Sequence, residues 1–264
     1  MSVLDKIIDR KKVEVAEAKA KVSTAQLEKQ INPAWVNLSL KQHLLALNKT
    51  GIIAEFKKGS PSKGIINDKV KPELVTKGYE LAGASACSVL TDRDFFFGSE
   101  EDMRASRKAV KIPLLRKDFM IDEYQILEAK AWGANIILLI AACLTPPVLQ
   151  RLATFAHSLD LEVLLEVHDK EELQSNLIDE VDVIGVNNRN LKTFDVSINT
   201  SLELAELIPT RYVKISESGL DAPEDLITLG KAGFKGFLMG EHFMKAQDPG
   251  KAMAEFVVRY QALL

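Results

Sequence analysis

Eight short, continuously apolar runs recur from residue 52 onward, and a segment with helical periodicity separates each run from the next. The runs are IIAEF (52–56), ACSVL (86–90), IPLLRKDF (112–119), NIILLIA (135–141), EVLLEV (162–167), VDVIGVN (181–187), YVKISE (212–217) and FKGFLMG (234–240). Their starts lie roughly 20 to 34 residues apart, which is enough for a strand, a helix and two short loops. Strands this apolar are typical of a parallel sheet that is covered on both faces. The pattern therefore predicts an α/β fold, a (β/α)8 TIM barrel; counting alone leaves an open doubly wound sheet as the alternative.

The segments between these runs carry helical signals. In the segment 70–84, Pro72 lies near the start and Gly83 follows the end, as in many helices. The apolar residues of this segment recur at helical offsets: Leu74, Val75, Leu81 and Ala82. The segment 122–134 repeats the arrangement, with Asp122 as the predicted N-cap and Gly133 as the predicted stop. Both segments are predicted to be helices of an outer ring.

The first 48 residues lie outside this repeat and have a helical pattern of their own. One face of the predicted helix is charged and the other is apolar; the apolar face comprises Leu4, Ile7, Ile8, Val15 and Ala18. A transit peptide is the alternative, but such peptides avoid acids, and Asp5, Asp9, Glu14 and Glu17 are all present. We therefore predict one domain over 1–264, in which an N-terminal helical extension (1–48) packs on a barrel (49–264).

Composition excludes several classes of protein. Hydrophobic residues make up 47% of the 264, which is enough to bury a full core. The 34 basic and 37 acidic residues leave a net charge of -3, without the one-signed field typical of proteins that bind nucleic acids or membrane surfaces. The apolar stretch 136–144 is much shorter than the roughly 20 residues of a membrane helix. We therefore expect neither a nucleic-acid partner nor a membrane.

Cysteine and histidine usage bears on location and on cofactors. Cys87 and Cys143 are too few for a disulfide framework, and no charged region precedes an apolar segment at the start of the chain, so a cytoplasmic protein is expected. We further expect a monomer. GSPSKG is followed by Ile65, no G-x-G-x-x-G occurs, and the four histidines form no H-E-x-x-H. Neither a cofactor nor a metal is expected, and His168, near Glu166, is interpreted as a rim residue.

Polar residues cluster at the carboxyl ends of the predicted strands, which is where barrels of this kind carry their chemistry. Glu55 and Lys57 end the first strand and share a face because they are two residues apart. Later strands contribute Lys117, Glu166 and Asn187. Each residue alone is more simply a solvated rim group. As a group they point toward one axis, where a salt-bridged cluster without a purpose would be costly to desolvate, so they predict a functional site.

Small residues follow the last two strands. Ser218 and Gly219 come after the seventh strand, and Gly240 comes after the eighth. In this fold, these two loops and the N-terminus of a short helix commonly hold a phosphate group, because free backbone N–H groups and the helix dipole favour an anion. Taken singly, either loop is explained equally well by glycines that only turn the chain. Together they predict a phosphate-binding site.

Motifs at the strand ends resemble those of indole-3-glycerol phosphate synthase, an enzyme of tryptophan biosynthesis. In chain order they are IIAEFKKGSPSKG, SVLTD, LLRKDFMID, EYQI, IILLIAA, LLEVHD, IGVNNRNLKTF, SESGL and LMGE. The likeness runs through the whole chain, including a helical extension before the barrel. It implies a carboxy-lyase that closes the ring of 1-(o-carboxyphenylamino)-1-deoxyribulose 5-phosphate, with loss of CO2 and water, to give indole-3-glycerol phosphate. The implied partner is a small phosphorylated substrate.

The resemblance also implies a role for each matching residue. Lys117, in RKDF, matches the general acid that protonates the ketone of the substrate as the aromatic carbon attacks it. Glu166, in LLEV, matches a carboxylate that assists the later dehydration. Glu55 and Lys57 match the acid and the lysine of the first strand, and Lys57 would contact the phosphate or a substrate hydroxyl. Asn187, with Arg189, matches groups that orient the anthranilate portion and the first-strand glutamate.

The remaining matches concern substrate binding. Phe119 matches the residue that forms an apolar wall against the aromatic ring of the substrate. Glu217 is also expected to bind the substrate. Ser60 lies in the loop 59–62, which is expected to form a mobile lid. The phosphate-binding residues implied by the resemblance are Lys57, Ser218, Gly219, Gly240 and Glu241.

The sequence differs from the family pattern at Gly59 and His242, and two other functions of a phosphate-binding barrel stay open. The family most often has alanine where Gly59 stands, which predicts a more flexible loop, and a small residue where His242 stands, which places a titratable group beside the phosphate. A phosphoribosyl isomerase barrel would share the phosphate site but lack the Glu55–Lys57 pair, Lys117 and Glu166. A non-catalytic barrel that binds a phosphosugar would need only the phosphate site.

Overall fold

A computed structural model describes residues 3–191 and 193–264 and shows a closed barrel of eight parallel strands. Each strand pairs with its neighbour in sequence, and the first pairs with the last. The strands are β1 (Ile52–Phe56), β2 (Ala86–Leu90), β3 (Leu114–Lys117), β4 (Ile136–Ile140), β5 (Glu162–Val167), β6 (Val183–Asn187), β7 (Val213–Glu217) and β8 (Gly236–Met239). The predicted (β/α)8 barrel is confirmed and the open sheet is excluded, because β1 pairs with both β2 and β8.

Helices precede the barrel and lie between its strands. Before the barrel come α1 (Val3–Lys21), α2 (Thr24–Glu28) and α3 (Leu40–Leu45). After β1 to β4 come α4 (Pro72–Leu81), α5 (Glu100–Ala109), α6 (Glu123–Trp132), a 3-10 turn (Ala141–Cys143) and α7 (Pro146–Ser158). After β5 to β8 come α8 (Lys170–Ser175), α9 (Asn199–Leu204), α10 (Pro223–Lys231), α11 (Glu241–Met244) and α12 (Pro249–Gln261). Within the two described ranges, no helix is long and apolar enough to cross a membrane.

The ends of α6 follow the signals in the sequence. The Asp122 carboxylate accepts a hydrogen bond from the Tyr124 N–H at 2.9 Å, so Asp122 is the N-cap, as predicted. Gly133 ends the helix at φ +91°, a conformation that side chains disfavour. A Cβ at Gly133 would lie 2.5 Å from Cγ of Arg107, so close packing requires glycine there as well.

The predicted helix α4 is present, but two of the apolar residues that recur at helical offsets in it face the solvent. Leu74 and Leu81 are 68% and 77% exposed, whereas Val75 and Tyr79 are buried against the barrel. The neighbouring helix α12 explains this orientation, because its Gly250 lies against Gly78, where a Cβ would come within 2.9 Å of the Gly250 Cα. Backbone contact between the two helices fixes which side of α4 turns inward.

The core has two parts, one between the strands and the outer helices and one inside the barrel. Leu40 and Leu44 of α3 belong to the inner part and pack with Ile53, Leu115 and Ile215. A Cβ at Gly236 of β8 would lie 3.1 Å from the Leu44 side chain. The extension therefore closes the barrel interior at the end where the strands begin, which leaves the opposite end for the site.

The helix α1 packs on the barrel through an apolar stripe that a buried lysine interrupts. Ile7 and Val15 are buried, as the amphipathic pattern predicted. Lys11 lies between them and is only 3% exposed, which the pattern did not predict. Its ammonium group is 2.7 Å from Asp92, which follows β2, and 2.9 Å from Asp118, which follows β3. The extension is thus fixed to the carboxyl ends of two strands by buried ion pairs.

Candidate active site

A cavity of about 200 Å³ opens where the strands end. It brings together eleven of the predicted site residues, namely Glu55, Lys57, Ser60, Lys117, Phe119, Glu166, Asn187, Arg189, Glu217, Ser218 and Glu241. The other two, Gly219 and Gly240, are not among its lining residues but adjoin Ser218 and Glu241 in sequence. The closure of the barrel explains this convergence, because successive strands deliver their last residues to one mouth.

Lys117 holds the central position in this cavity. It is the last residue of β3, and its ammonium group donates a hydrogen bond to Glu217 Oε2 and lies 3.4 Å from Glu166 Oε2. Burial alone would lower the pKa of Lys117, but Glu217, Glu166 and Glu55 together raise it well above its usual value. Lys117 is therefore a buried cation that contacts Glu217 and Glu166 and is stabilised further by the charge of Glu55.

Of the three buried carboxylates near Lys117, Glu217 has the fewest hydrogen-bond donors around it. Its Oε1 is buried and has no hydrogen-bond partner among the described residues, while Oε2 accepts from Lys117. Burial raises the pKa of Glu217 and nearby Glu166 raises it further, so that it reaches about 7 despite Lys117. Gly185 of β6 makes room for this group, because a Cβ there would lie 2.2 Å from Glu217 Oε1.

Glu166 is held ionised on the other side of Lys117. Asn187 Nδ2 donates to Glu166 Oε1 at 3.2 Å, and Oε1 also lies 3.4 Å from Nε2 of His168. Burial would raise the pKa of Glu166, but Lys117, His168 and Asn187 lower it. Asn187 is oriented in turn, since its Oδ1 accepts a hydrogen bond from the Arg189 N–H at 3.0 Å. His168, interpreted from the sequence as a rim residue, thus contacts a buried carboxylate.

Glu55 and Lys57 form an ion pair of 2.9 Å, as their shared face predicted. Ser88 of β2 donates to Glu55 Oε2 at 3.4 Å. Burial would raise the pKa of Glu55, but Lys57 and Lys117 lower it. Gly240 leaves space for this side chain, because a Cβ there would lie 2.8 Å from both Cβ and Oε1 of Glu55. A glycine at position 240 therefore allows Glu55 to lie where it does.

The loop after β1 forms a small hairpin of two antiparallel segments, Gly59–Ser60 and Gly64–Ile65. Lys58 anchors its base through contacts of 2.6 and 2.8 Å with Asp102 of α5. A Cβ at Gly59 would lie 2.5 Å from the Gly64 carbonyl oxygen and 2.6 Å from the Phe97 ring. Close packing therefore explains this glycine, whereas the sequence had suggested flexibility; mobility of the loop stays a prediction.

One wall and the roof of the cavity are apolar. Phe119 packs against Phe96, with ring centroids 6.0 Å apart, and next to them the inner core contributes further apolar residues, Leu138, Ile140 and Leu238. The first turns of α1 reach over the cavity with Val3, Leu4 and Ile7. Neither Phe96 nor this apolar cover of the cavity was predicted from the sequence. The apolar face of α1 indicated that this helix packs on the barrel, but the sequence did not indicate that the helix crosses the cavity.

The predicted phosphate site lies at the ends of β7 and β8. Ser218 and Gly219 both have φ of +70°, and a Cβ at Gly219 would lie 2.2 Å from Val196, so glycine is required on two grounds. Glu241 begins α11, and its carboxylate is 2.7 Å from the Lys245 ammonium group. His242 packs edge-on against Phe243 and Phe256. An anion held here would meet the backbone and not the Glu241 side chain, because both are negative.

The fold and this cavity define an enzyme of the (β/α)8-barrel class, with buried acids and lysines, an aromatic wall and two loops suited to phosphate. Within residues 3–191 and 193–264, no group of three or more His, Cys, Asp or Glu side chains is arranged to hold a metal ion.

Comparison with known proteins assigns the family. Residues 4–256 match the family described as indole-3-glycerol phosphate synthase, and the chain belongs to this family. The chain is similar to the indole-3-glycerol phosphate synthase of Bacteroides thetaiotaomicron, with 47% identity over 98% of this chain and 99% of the relative. It is also similar to the enzyme of that name from Acidovorax sp., with 43% identity over 96% of this chain and 98% of the relative.

The solved structures that resemble this chain share its fold, and at their low sequence identity they indicate nothing beyond the fold. Thiamine phosphate pyrophosphorylase from Pyrococcus furiosus superposes with a TM-score of 0.60 at 16% identity, over 82% of this chain and 98% of that one. A structure described as native KDPGal gives a TM-score of 0.58 at 14% identity, over 82% of this chain and 95% of that one. The family assignment, and not these structural likenesses, decides against the isomerase and the non-catalytic barrel considered from the sequence.

Proposed function

We propose that this enzyme closes the ring of 1-(o-carboxyphenylamino)-1-deoxyribulose 5-phosphate, with loss of CO2 and water, and forms indole-3-glycerol phosphate for tryptophan biosynthesis. The observation that carries the proposal is the position of Lys117, a buried cation between Glu166 and Glu217 at the centre of the cavity. The family description supports the reaction, and the position of Lys117 supports its proposed role as the acid that the reaction needs.

The first step forms the carbon–carbon bond. The ring carbon that bears the carboxylate attacks the ketone carbon, and Lys117 transfers a proton to the ketone oxygen, so that an N–H bond breaks as an O–H bond forms. Negative charge develops on that oxygen only as the bond forms, so a proton donor there stabilises the transition state more than the ground state. Loss of CO2 then returns electrons to the positively charged nitrogen and the ring, which needs no cofactor.

The second step removes water. The hydroxyl made in the first step leaves with one proton, and a base takes another proton from the adjacent carbon. Glu55 and Glu166 are both held ionised and supply this base capacity, while the Lys57 ammonium group, 2.9 Å from Glu55, is the second proton donor. The two lysines thus divide the acid roles between ring closure and dehydration.

The two ends of the substrate differ in chemistry, and so do the two sides of the cavity. The aromatic ring is proposed to lie against Phe119, and its carboxylate is oriented by Arg189 and Asn187. The phosphate is proposed to lie on the backbone of Ser218, Gly219 and Gly240, at the start of α11, with Lys57 of the same cavity as a cation for it. Ser60 and Glu217 contact the atoms between the two ends. This orientation directs the ketone toward Lys117.

We further propose that the enzyme acts as a monomer in the cytoplasm, with neither a nucleic acid nor a membrane as partner. Cys87 and Cys143 are both free thiols, which suits a reducing compartment. The net charge of -3 gives no reason to expect a polyanionic partner.

The test is direct. The purified protein is mixed with the carboxyphenylamino substrate, and indole fluorescence and CO2 release are followed together. Both signals are expected to rise in step, and inorganic phosphate is expected to compete with the substrate. Isomerisation without CO2 would indicate an isomerase, and binding without turnover would indicate a non-catalytic barrel; either outcome would contradict the proposal.

A further inference from the structure

His168 joins two carboxylates at the edge of the cavity. It follows β5 directly, its side chain is 9% exposed, and its Nε2 lies 3.4 Å from Oε1 of Glu166, an ion-pair contact and not a hydrogen bond. On its other side, Nδ1 lies 3.1 Å from Oε2 of Glu172 in α8. The same Glu172 oxygen accepts a hydrogen bond from the His168 backbone N–H at 2.8 Å. One buried imidazole is therefore placed between two acids, only one of which, Glu166, lines the cavity.

We propose that His168, held by Glu172, is a positioning residue that keeps Glu166 ionised and turned toward Lys117 after Lys117 has given its proton to the substrate. This inference rests on the proposed function, since it assumes that Lys117 is the general acid. It adds two residues, His168 and Glu172, to which the sequence analysis assigned no role in the reaction.

The need for such a residue follows from how the site shares its cations. In the resting enzyme, Glu166 and Glu217 both rely on Lys117, which is 3.4 Å from the first and hydrogen-bonded to the second. When Lys117 becomes neutral, Glu217 has little else to stabilise its charge, because its Oε1 has no partner among the described residues. Glu166 keeps the Asn187 amide and the His168 ring. The positive charge of His168 takes no part in the reaction, so it remains beside Glu166 after Lys117 has given up its proton.

Acids face His168 from three elements and favour its charged form. Glu166 lies on β5, the strand that His168 follows, Glu172 on α8 and Glu217 on β7. The Cys143 thiol of the 3-10 turn also lies near Glu166 and Glu172, and burial raises its pKa. Burial would lower the pKa of His168, but the three carboxylates raise it. Lys117 is the nearest competing cation and acts on Glu166 from the opposite oxygen.

His168→Gln removes the charge and keeps a polar side chain. We expect kcat to fall by about tenfold, less than for loss of an acid or base itself, with KM changed by no more than about threefold. Because the pKa of Glu166 rises when a neighbouring cation is lost, the acidic limb of the kcat profile is expected to move to higher pH by about half a unit or more. Glu172→Gln is expected to act in the same direction, and the double variant to be no worse than His168→Gln.

The matched control is His157→Gln. His157 also contacts a carboxylate, Asp182, at 2.9 Å, but it lies on the outside of the barrel in α7 and is substantially exposed. Its replacement is expected to leave kcat, KM and the pH profile unchanged. If His168→Gln behaves like this control, with kcat and the acidic limb of the parent, the proposal is overturned.

A second measurement does not depend on turnover. Imidazole NMR signals are titrated in the substrate-free protein, and the His168 signal is assigned by its loss in His168→Gln. Glu166→Gln and Glu172→Gln are each expected to lower the pKa of His168, whereas its independence of Glu166 would overturn the proposal. Failure of the parent enzyme to convert the substrate would contradict the proposed function and, with it, the role given to His168. Conversion by the parent with an unchanged His168→Gln variant would overturn the His168 proposal alone.

Discussion

Lys117 illustrates how one side chain depends on its neighbours for its chemistry. A lysine buried alone would tend to lose its proton, but the carboxylates of Glu217, Glu166 and Glu55 raise its pKa. In the proposed mechanism, a proton held so firmly is released only when the substrate oxygen becomes strongly basic, as the ring carbon attacks. The three acids would therefore prevent Lys117 from donating before that point.

We expect Lys117→Ala to lower kcat by at least about a hundredfold, the lower end of the range for removing a positioned general acid. The control is Lys111→Ala, since Lys111 is exposed before β3 and does not line the cavity. Steady-state kinetics with the carboxyphenylamino substrate give both constants. A Lys117→Ala enzyme that is folded by circular dichroism and within tenfold of the parent would remove Lys117 from the proposed role.

Gly185 offers a test of how closely Glu217 must be placed. Gly185→Ala would bring a Cβ to 2.2 Å from Glu217 Oε1, so the carboxylate must move. We expect kcat to fall about tenfold or more, because a shift of about 1 Å in a group that positions the substrate and holds Lys117 is felt strongly. Gly230→Ala is the matched control, as nothing lies within 4 Å of its added Cβ. Glu217→Asp shortens the acid, so combining it with Gly185→Ala should cost less than the sum of the two; additive losses would contradict the explanation.

At the scale of elements, the barrel strands were largely predictable and the extension was only partly so. Each strand is a largely apolar run, and this local signal predicted all eight, three of them with exact bounds and the rest within two residues at either end. The site residues followed, because strand ends converge in a closed barrel. Lys11 and Phe96 were missed, since their partners come from elements distant in sequence. The exposure of Leu74 likewise depends on where α12 packs, which periodicity in α4 does not encode.

The contact between α1 and the barrel is predicted to depend on Lys11. Lys11→Met keeps the length of the side chain but leaves Asp92 and Asp118 buried without their shared cation. We expect the free energy of unfolding to fall by about 3 kcal/mol, the usual cost of breaking a buried pair from one side. KM is also expected to rise, because Leu4 and Ile7 of α1 cover the cavity. Chemical denaturation and steady-state kinetics measure the two effects.

Lys12→Met is the control for this prediction. Lys12 is the next residue of α1 and contacts Asp9 at 2.9 Å, but both side chains are well exposed. An exposed pair contributes little, so its loss is expected to change the unfolding free energy by less than about 1 kcal/mol. Equal effects of the two substitutions would show that burial of Lys11 does not matter to α1.

At the scale of the whole molecule, barrel closure concentrates charge that would be dispersed along an open sheet. Glu55, Lys117, Glu166 and Glu217 are separated by up to 162 residues along the chain, as their numbers show, yet they act on one another's pKa in one cavity. Three buried acids share two lysines of this cavity, Lys117 and Lys57. Ionising all three acids at once therefore costs free energy. The stability of the fold must therefore depend on the protonation of its active site.

Glu217 makes that dependence measurable. Its pKa is about 7 in the folded protein and 4.5 as its ordinary value, so between these values the folded state retains a proton that the unfolded state has released. The stability that this proton contributes is fully present below pH 4.5 and is lost as pH rises toward 7. Glu217→Gln removes the titration, so the free energy of unfolding of the variant, relative to the parent, is expected to increase with pH across this window. One proton corresponds to a slope of at most about 1.4 kcal/mol per pH unit.

The measurement is urea unfolding of parent and variant at several pH values between 4.5 and 8, with Glu255→Gln as the control. Glu255 lies on α12 and is well exposed, so its replacement is expected to leave the pH dependence of the parent unchanged. If Glu217→Gln and the parent instead show the same dependence, Glu217 is ionised throughout this range in the folded protein. All three acids would then act on Lys117 as carboxylates across this range, and Glu217 would contribute fully to the raised pKa of Lys117.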